Sequence, residues 1–152
     1  MGLILIKNAK IVNEGIIFEG DVLIDGAYII DIDTSISSKS ATTKIIDAEG
    51  KYLIPGAIDD QVHFREPGLT HKANIESESK AAVAGGITSF IEMPNTVPQA
   101  TTQKLLEEKF EIASKTSYAN YSFMFGGTNH NLEELLKTNP TNVAGIKLFL
   151  GS

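Results

Sequence analysis

Pro55-Gly56-Ala57-Ile58-Asp59-Asp60-Gln61-Val62-His63-Phe64-Arg65-Glu66-Pro67-Gly68 is the stretch on which the reading of this chain turns. An apolar lead, Leu53-Ile54, meets a Pro-Gly break. A short strand is then expected, with Gln61, His63 and Arg65 at period two, ended by Glu66-Pro67-Gly68. Residues at i, i+2 and i+4 of a strand point to one side. A possible metal ligand, an amide and a guanidinium would thus share one face just before a turn. Strand ends of this kind carry the chemistry of barrel enzymes.

On either side of this stretch the pattern differs. Residues 1–54 predict short β elements: Leu3 to Ile6 and Ile11-Val12 around a polar Lys7-Asn8-Ala9-Lys10 break, and Val22 to Ile24 and Tyr28 to Ile30 around Asp25-Gly26, a short hairpin signal. Lys44 to Ile46 and Lys51 to Ile54 flank a turn at Asp47 to Gly50, and Ser/Thr-rich Thr34 to Thr43 reads as a loop. The expectation is a small antiparallel sheet or half-sandwich without catalytic features. From residue 55 onward, apolar strands alternate with helical segments, the signature of βα units and a parallel sheet. Helices are expected from an N-cap at Asn74 to a stop at Gly85-Gly86, over Thr102 to Ser114, and over Leu132 to Lys137. Strands are expected over Ile87–Met93, Tyr118–Phe125 and Val143–Leu150. Four such strands are half of a (β/α)8 barrel, which takes about 250 residues. The 152 residues therefore predict either an open doubly wound sheet or, the favoured reading, a truncated part of a longer enzyme.

Composition narrows the class. A hydrophobic content of 42% supports a real core, and the formal charge of -6 argues against a nucleic-acid surface or an anionic-membrane binder. With no cysteine there is no disulfide scaffold and no thiolate zinc site, so a metal would use His, carboxylate or a modified Lys. The apolar start is too short for a signal peptide, and no run approaches the about 20 apolar residues of a membrane span. A cytoplasmic protein is expected.

Several residues admit both a structural and a chemical reading. His63 is either a partly buried, hydrogen-bonded strand histidine or a metal ligand. Arg65 either pairs with Glu66 or clamps a substrate carboxylate with its planar fork. Asn95 is a turn residue after Pro94, or an amide that reads a small polar substrate. Lys147, in an otherwise apolar strand, either snorkels at the strand end or is buried with a lowered pKa. A neutral amine of that kind can take up carbon dioxide and become a carbamate, a bridging carboxylate-type ligand. His71 and His130 are expected to be solvated.

These motifs together resemble the amidohydrolase superfamily and, within it, the dihydroorotases. Val62-His63-Phe64-Arg65-Glu66-Pro67-Gly68 with Thr70-His71-Lys72 is similar to the segment after the family's first metal histidine. Ala84-Gly85-Gly86-Ile87-Thr88 and Met93-Pro94-Asn95-Thr96 resemble its second strand and substrate asparagine. Gly145-Ile146-Lys147-Leu148-Phe149 resembles the strand of its carbamylated lysine, in the type related to multifunctional pyrimidine-synthesis enzymes. The resemblance covers essentially the whole chain.

It implies an α/β fold: residues 1–54 as strands of a composite β-sandwich, and residues 55–152 as the first half of a (β/α)8 metal-dependent hydrolase barrel. It implies reversible hydrolysis of L-dihydroorotate to N-carbamoyl-L-aspartate, in pyrimidine biosynthesis. One or two Zn2+ per subunit would be held by His63 and carbamylated Lys147, and the substrate carboxylate by Arg65 and Asn95. The remaining histidines and the proton-shuttling Asp are expected downstream, so no catalytic residue falls within this chain. Partners would be the small-molecule substrate and a further copy of the chain, as in a dimer. The sequence departs from the family at Gln61, where the pattern calls for the first histidine; an amide oxygen is a weak zinc ligand. Alternatives are another cyclic amidase (dihydropyrimidinase, hydantoinase or allantoinase) or an inactive dihydroorotase-like scaffold subunit, for which Gln61 speaks.

Overall fold

The structure, a computed structural model, describes residues 2–38 and 40–150. They fall into two compact units, Met1–Pro55 and Gly56–Ser152.

The first unit is one five-stranded sheet: β1 (Leu3–Asn13), β2 (Ile16–Asp25), β3 (Tyr28–Asp33), β4 (Lys44–Asp47) and β5 (Tyr52–Leu53), in the order β3-β2-β1-β4 with β5 also on β1. The sheet is mixed rather than antiparallel, because β4 and β5 both run parallel to β1. Long-range pairing of this kind leaves no local sequence signal. The polar Lys7-Asn8 segment bends β1 without ending it: the register with β2 shifts between Ile6 and Ala9, and Asn8 adopts a left-handed φ of 56°. Asp21 stabilises this bulge, accepting from the backbone N–H of Asn8 and of Ile36 at 2.9 Å each. Burial alone would raise the Asp21 carboxyl, but these bonds and nearby Lys7 hold it below its ordinary value. The turn between β1 and β2, Glu14-Gly15, has positive φ at both residues (49° and 79°), the geometry of a type I′ hairpin. Leu5, Leu23 and Ile36 form one small core, and Ala9, Ile11 and Val22 another.

The second unit is a parallel sheet of β6 (Ala57–Val62), β7 (Ile87–Glu92), β8 (Asn120–Gly126) and β9 (Gly145–Lys147), in sequence order. The crossovers carry α1 (Ile75–Ala84), α2 (Gln103–Thr116) and α3 (Leu132–Leu136). Each start of the longer helices is capped by a side-chain oxygen: Asn74 Oδ1 accepts from Ser77 N at 2.8 Å, and Thr102 Oγ1 from Leu105 N at 3.3 Å. Gly85 ends α1, where Ala81 and Ala82 carbonyls accept its N–H. Phe64, Phe90, Phe123 and Phe125 fill the core with Ile75 and Leu106. Phe64 and Phe90 lie 4.5 Å apart between centroids, and Phe110 meets Phe123 edge-on at 4.8 Å. No helix among the described residues is long and apolar enough to cross a membrane.

Candidate active site at the strand ends

The opening stretch departs from its expected form in one respect that matters. β6 stops at Val62, so only Gln61 lies on the strand, and His63 and Arg65 belong to the loop beyond it. Arg65 takes a left-handed φ of 69°, which breaks the period-two alternation. The turn chemistry of Glu66-Pro67-Gly68 acts earlier than expected. Glu66 does not pair with Arg65 here: its Oε2 accepts from Ile75 N at 2.9 Å, a carboxylate at the N-terminus of α1.

The loops after β6 and β7 lie against each other. Met93 N donates to Val62 O at 3.0 Å, and Val97 N to Pro67 O at 3.1 Å. Gly68, at φ 82°, packs so closely that a Cβ there would collide with Val97 O. His63 and Asn95 are brought together by this arrangement, with Nδ1 2.9 Å from Oδ1 and both residues half-buried. An amide oxygen only accepts, so with this amide orientation Nδ1 is the donor, and in the neutral imidazole Nε2 then carries the open lone pair. The Asn95 NH2 group remains available as a donor.

Lys147 ends β9, and its Nζ lies 3.5 Å from Gln61 Oε1, a contact that spans the ends of the outer strands of the sheet. Gln61, His63, Asn95 and Lys147 therefore stand at the C-terminal ends of the parallel strands. Of the two readings of Lys147, a place at the strand end and full burial, the described residues fit the first. β9 is the edge strand, Lys147 is half-buried, and Ile146 and Leu148 beside it are 51% and 55% exposed. His71 and His130 are exposed. Among the described residues, no three His, Cys, Asp or Glu side chains converge. An open groove lined by Phe110, Tyr121, Pro140 and Val143 lies near the other end of β8 and β9 and has no His, Lys, Asp or Glu in its lining.

Sequence reasoning missed two residues beneath these loops. Lys109 Nζ lies 2.7 Å from Glu92 Oε2, with both side chains 1% exposed, and it also donates to Met93 O at 3.0 Å. Burial pushes the Glu92 carboxyl up, an effect that Lys109 and the N–H groups of Arg65 and Phe64 oppose without cancelling. Burial pushes the Lys109 ammonium down. The signal was present in the sequence: Lys109 interrupts the Leu106, Phe110, Ala113 stripe of α2, and Glu92 ends an apolar strand.

This geometry has known counterparts. The dihydro-orotase-like family model matches residues 50–139. A dihydroorotase of Staphylococcus epidermidis is 43% identical over 113 residues, which is 74% of this chain and 27% of that protein. One of Methanosphaera stadtmanae is 34% identical over 152 residues, 99% of this chain and 34% of that protein. Among solved structures, an L-hydantoinase (dihydropyrimidinase) from Arthrobacter aurescens superposes with a TM-score of 0.88 at 32% identity, over 96% of this chain and 32% of that one. A Thermus D-hydantoinase gives 0.82 at 29% identity. The chain spans about a third of the length of these relatives. Its parallel unit corresponds to a curled half-barrel, the amidohydrolase fold of those structures. The chain belongs to the dihydro-orotase-like family.

Proposed function

We propose that this chain is the N-terminal part of a dihydroorotase, hydrolysing the cyclic amide of L-dihydroorotate to N-carbamoyl-L-aspartate and closing it in reverse, as a step of pyrimidine biosynthesis. The observation that carries the reading is the contact of His63 with Asn95 across two interlocked strand-end loops, with Arg65 on the first of these loops two residues after His63. A guanidinium and an amide NH2 can both donate to the carboxylate that distinguishes dihydroorotate from a plain cyclic amide. The likeness to hydantoinases favours a second reading, a cyclic amidase for rings without that carboxylate, for which Arg65 would have no counter-ion.

In this account residues 1–54 are strands of a β-sandwich completed by later chain. Exposed apolar residues on that sheet, among them Ile17 at 61%, Tyr28 at 75% and Ile29 at 63%, support it. Residues 55–152 form the first half of the barrel, and exposed Ile146 and Leu148 would lie under further strands.

The residues present fit half of a zinc site. His63 offers an open Nε2, and Lys147, as a carbamate, would offer a carboxylate-type oxygen. Gln61 fits poorly, since its amide oxygen is a weak donor already within reach of Lys147 Nζ. When bound, zinc supplies Lewis acidity toward water and the ring carbonyl. The chain's own residues orient the substrate: Arg65 and Asn95 hold the carboxylate, and the His63–Asn95 contact keeps the imidazole in one tautomer. A proton-shuttling Asp would come from the later chain.

The test is ring opening and metal content of the full-length protein. Activity is expected to disappear on chelation and return with zinc. Gln61 is expected to limit the site to one zinc per chain, and Gln61→His to raise the count to two. Ring opening that survives complete metal removal would reject the mechanism, and two zinc ions in the unsubstituted protein would reject the role given to Gln61.

A further inference from the structure

β8 runs out into Gly126-Gly127, at the same end of the sheet as Gln61, His63, Asn95 and Lys147. A Gly-Gly peptide turns freely unless something holds it, because neither residue has a Cβ to restrict φ and ψ. Here that peptide group is held on both sides. Its N–H, from Gly127, donates to Lys147 O at 3.0 Å. Its carbonyl, from Gly126, accepts from Asn131 Nδ2 at 2.8 Å. The same carboxamide reaches further: Nδ2 donates to Thr101 O at 2.8 Å, and Oδ1 accepts from Thr128 N at 2.7 Å and from Thr128 Oγ1 at 3.0 Å. Both amide protons and both lone pairs of Asn131 are thus engaged. Carbonyls on one side and donors on the other fix which way the amide points.

Asn131 gives up another use of its side chain to do this. It stands at the N-cap of α3, where an asparagine oxygen ordinarily accepts from the first N–H groups of the helix, yet it makes no such bond. Lys147, for its part, has little else to hold its backbone. It ends a three-residue edge strand that pairs, among the described residues, with β8 alone. Gly127 lies so close to the end of β9 that a Cβ there would strike the Leu148 side chain.

We propose that Asn131 is a positioning residue for Lys147: its carboxamide orients the Gly126–Gly127 peptide whose N–H holds the Lys147 carbonyl, and so fixes where β9 presents the lysine. The consequence for zinc rests on the dihydroorotase reading. The restraint on the peptide does not.

Asn131→Asp in the full-length protein separates this role from that of a local turn. The carboxylate keeps the acceptor for Thr128 N and Oγ1 but sets an anion against the Gly126 and Thr101 carbonyls. Asn131→Ala removes all four bonds. Hydrogen exchange of the Gly127 amide is read beside zinc affinity, measured by competition with a chromophoric chelator. The unsubstituted protein is expected to protect the Gly127 amide. Both variants are expected to exchange it at least about 10-fold faster and to bind zinc about 10- to 100-fold more weakly. A loss of packing alone would lower the folded fraction and leave the zinc affinity of the folded molecules unchanged.

Rapid exchange of the Gly127 amide in the unsubstituted protein would overturn the proposal. So would an Asn131→Asp variant with the exchange and zinc affinity of the unsubstituted protein. Faster exchange with unchanged zinc affinity would confine Asn131 to its loop and overturn its role toward Lys147. If Asn131→Asp does not fold, Asn131→Ala is judged by the same two criteria. A protein that binds no zinc but shows the expected exchange pattern would count against the dihydroorotase reading alone.

Discussion

Arg65→Ala in the full-length protein is expected to raise the KM for dihydroorotate by roughly 10- to 100-fold while kcat stays within a few-fold. Hydrogen bonds to charged groups contribute about 1.5–3 kcal/mol, and a clamp on a remote carboxylate acts equally in the ground and transition states. The prediction depends on where the loop places the side chain. Arg65 lies beyond β6, on a turn braced against the loop of Asn95, so it has a fixed starting point rather than a free stem. Steady-state kinetics check this. A fall in kcat with KM unchanged would move Arg65 to the reacting atoms. No change in either constant would remove it from the site.

Lys109→Met is expected to destabilise the protein by about 3–5 kcal/mol near neutral pH, because it leaves Glu92 buried without its cation. Burial already raises the Glu92 carboxyl above its ordinary value. A carboxyl raised in the folded state contributes stability below its unfolded pKa, and that contribution is lost as pH rises through the folded pKa. Without Lys109 the rise becomes larger. The deficit of the variant should therefore be small in acid, where Glu92 is protonated, and grow toward neutral pH. Urea unfolding of both proteins across that range measures it. A deficit independent of pH would assign the loss to packing at Lys109 rather than to the stranded carboxylate.

The barrel half of the chain was legible because its signals are local. Asn74 as a cap, Gly85 as a stop and the apolar stripe of α2 each act within a turn or two of the chain, and the helices and strands fall close to where these residues put them. What was not legible depends on distant pairing. Nothing in Lys44–Asp47 or Tyr52–Leu53 announces that both strands run parallel to β1. The same holds at the site. Gln61, His63 and Arg65 were visible as a cluster of unusual residues, but their strand alternation fails at Val62, since the register with β7 ends there and the turn takes over. The contact of His63 with Asn95 joins residues 32 apart, and that of Gln61 with Lys147 joins residues 86 apart. Apolar neighbours left Lys147 open between burial and a place at the strand end, because a residue on an edge strand is covered only by what packs over that edge. Glu92 and Lys109 each carry a local signal, a charge in an apolar strand or stripe, but their pairing joins two separate elements and shows only in the fold.

The central claim, that this site is built around a substrate carboxylate, is tested most directly by the selectivity of the full-length protein between dihydroorotate and dihydrouracil, the same ring without the carboxylate. A site with a committed guanidinium and amide rejects the analogue that leaves them unpaired. The predicted result is a kcat/KM for dihydroorotate at least about 100-fold higher. Equal values, or a preference for dihydrouracil, would contradict the account and place the protein with the hydantoinases.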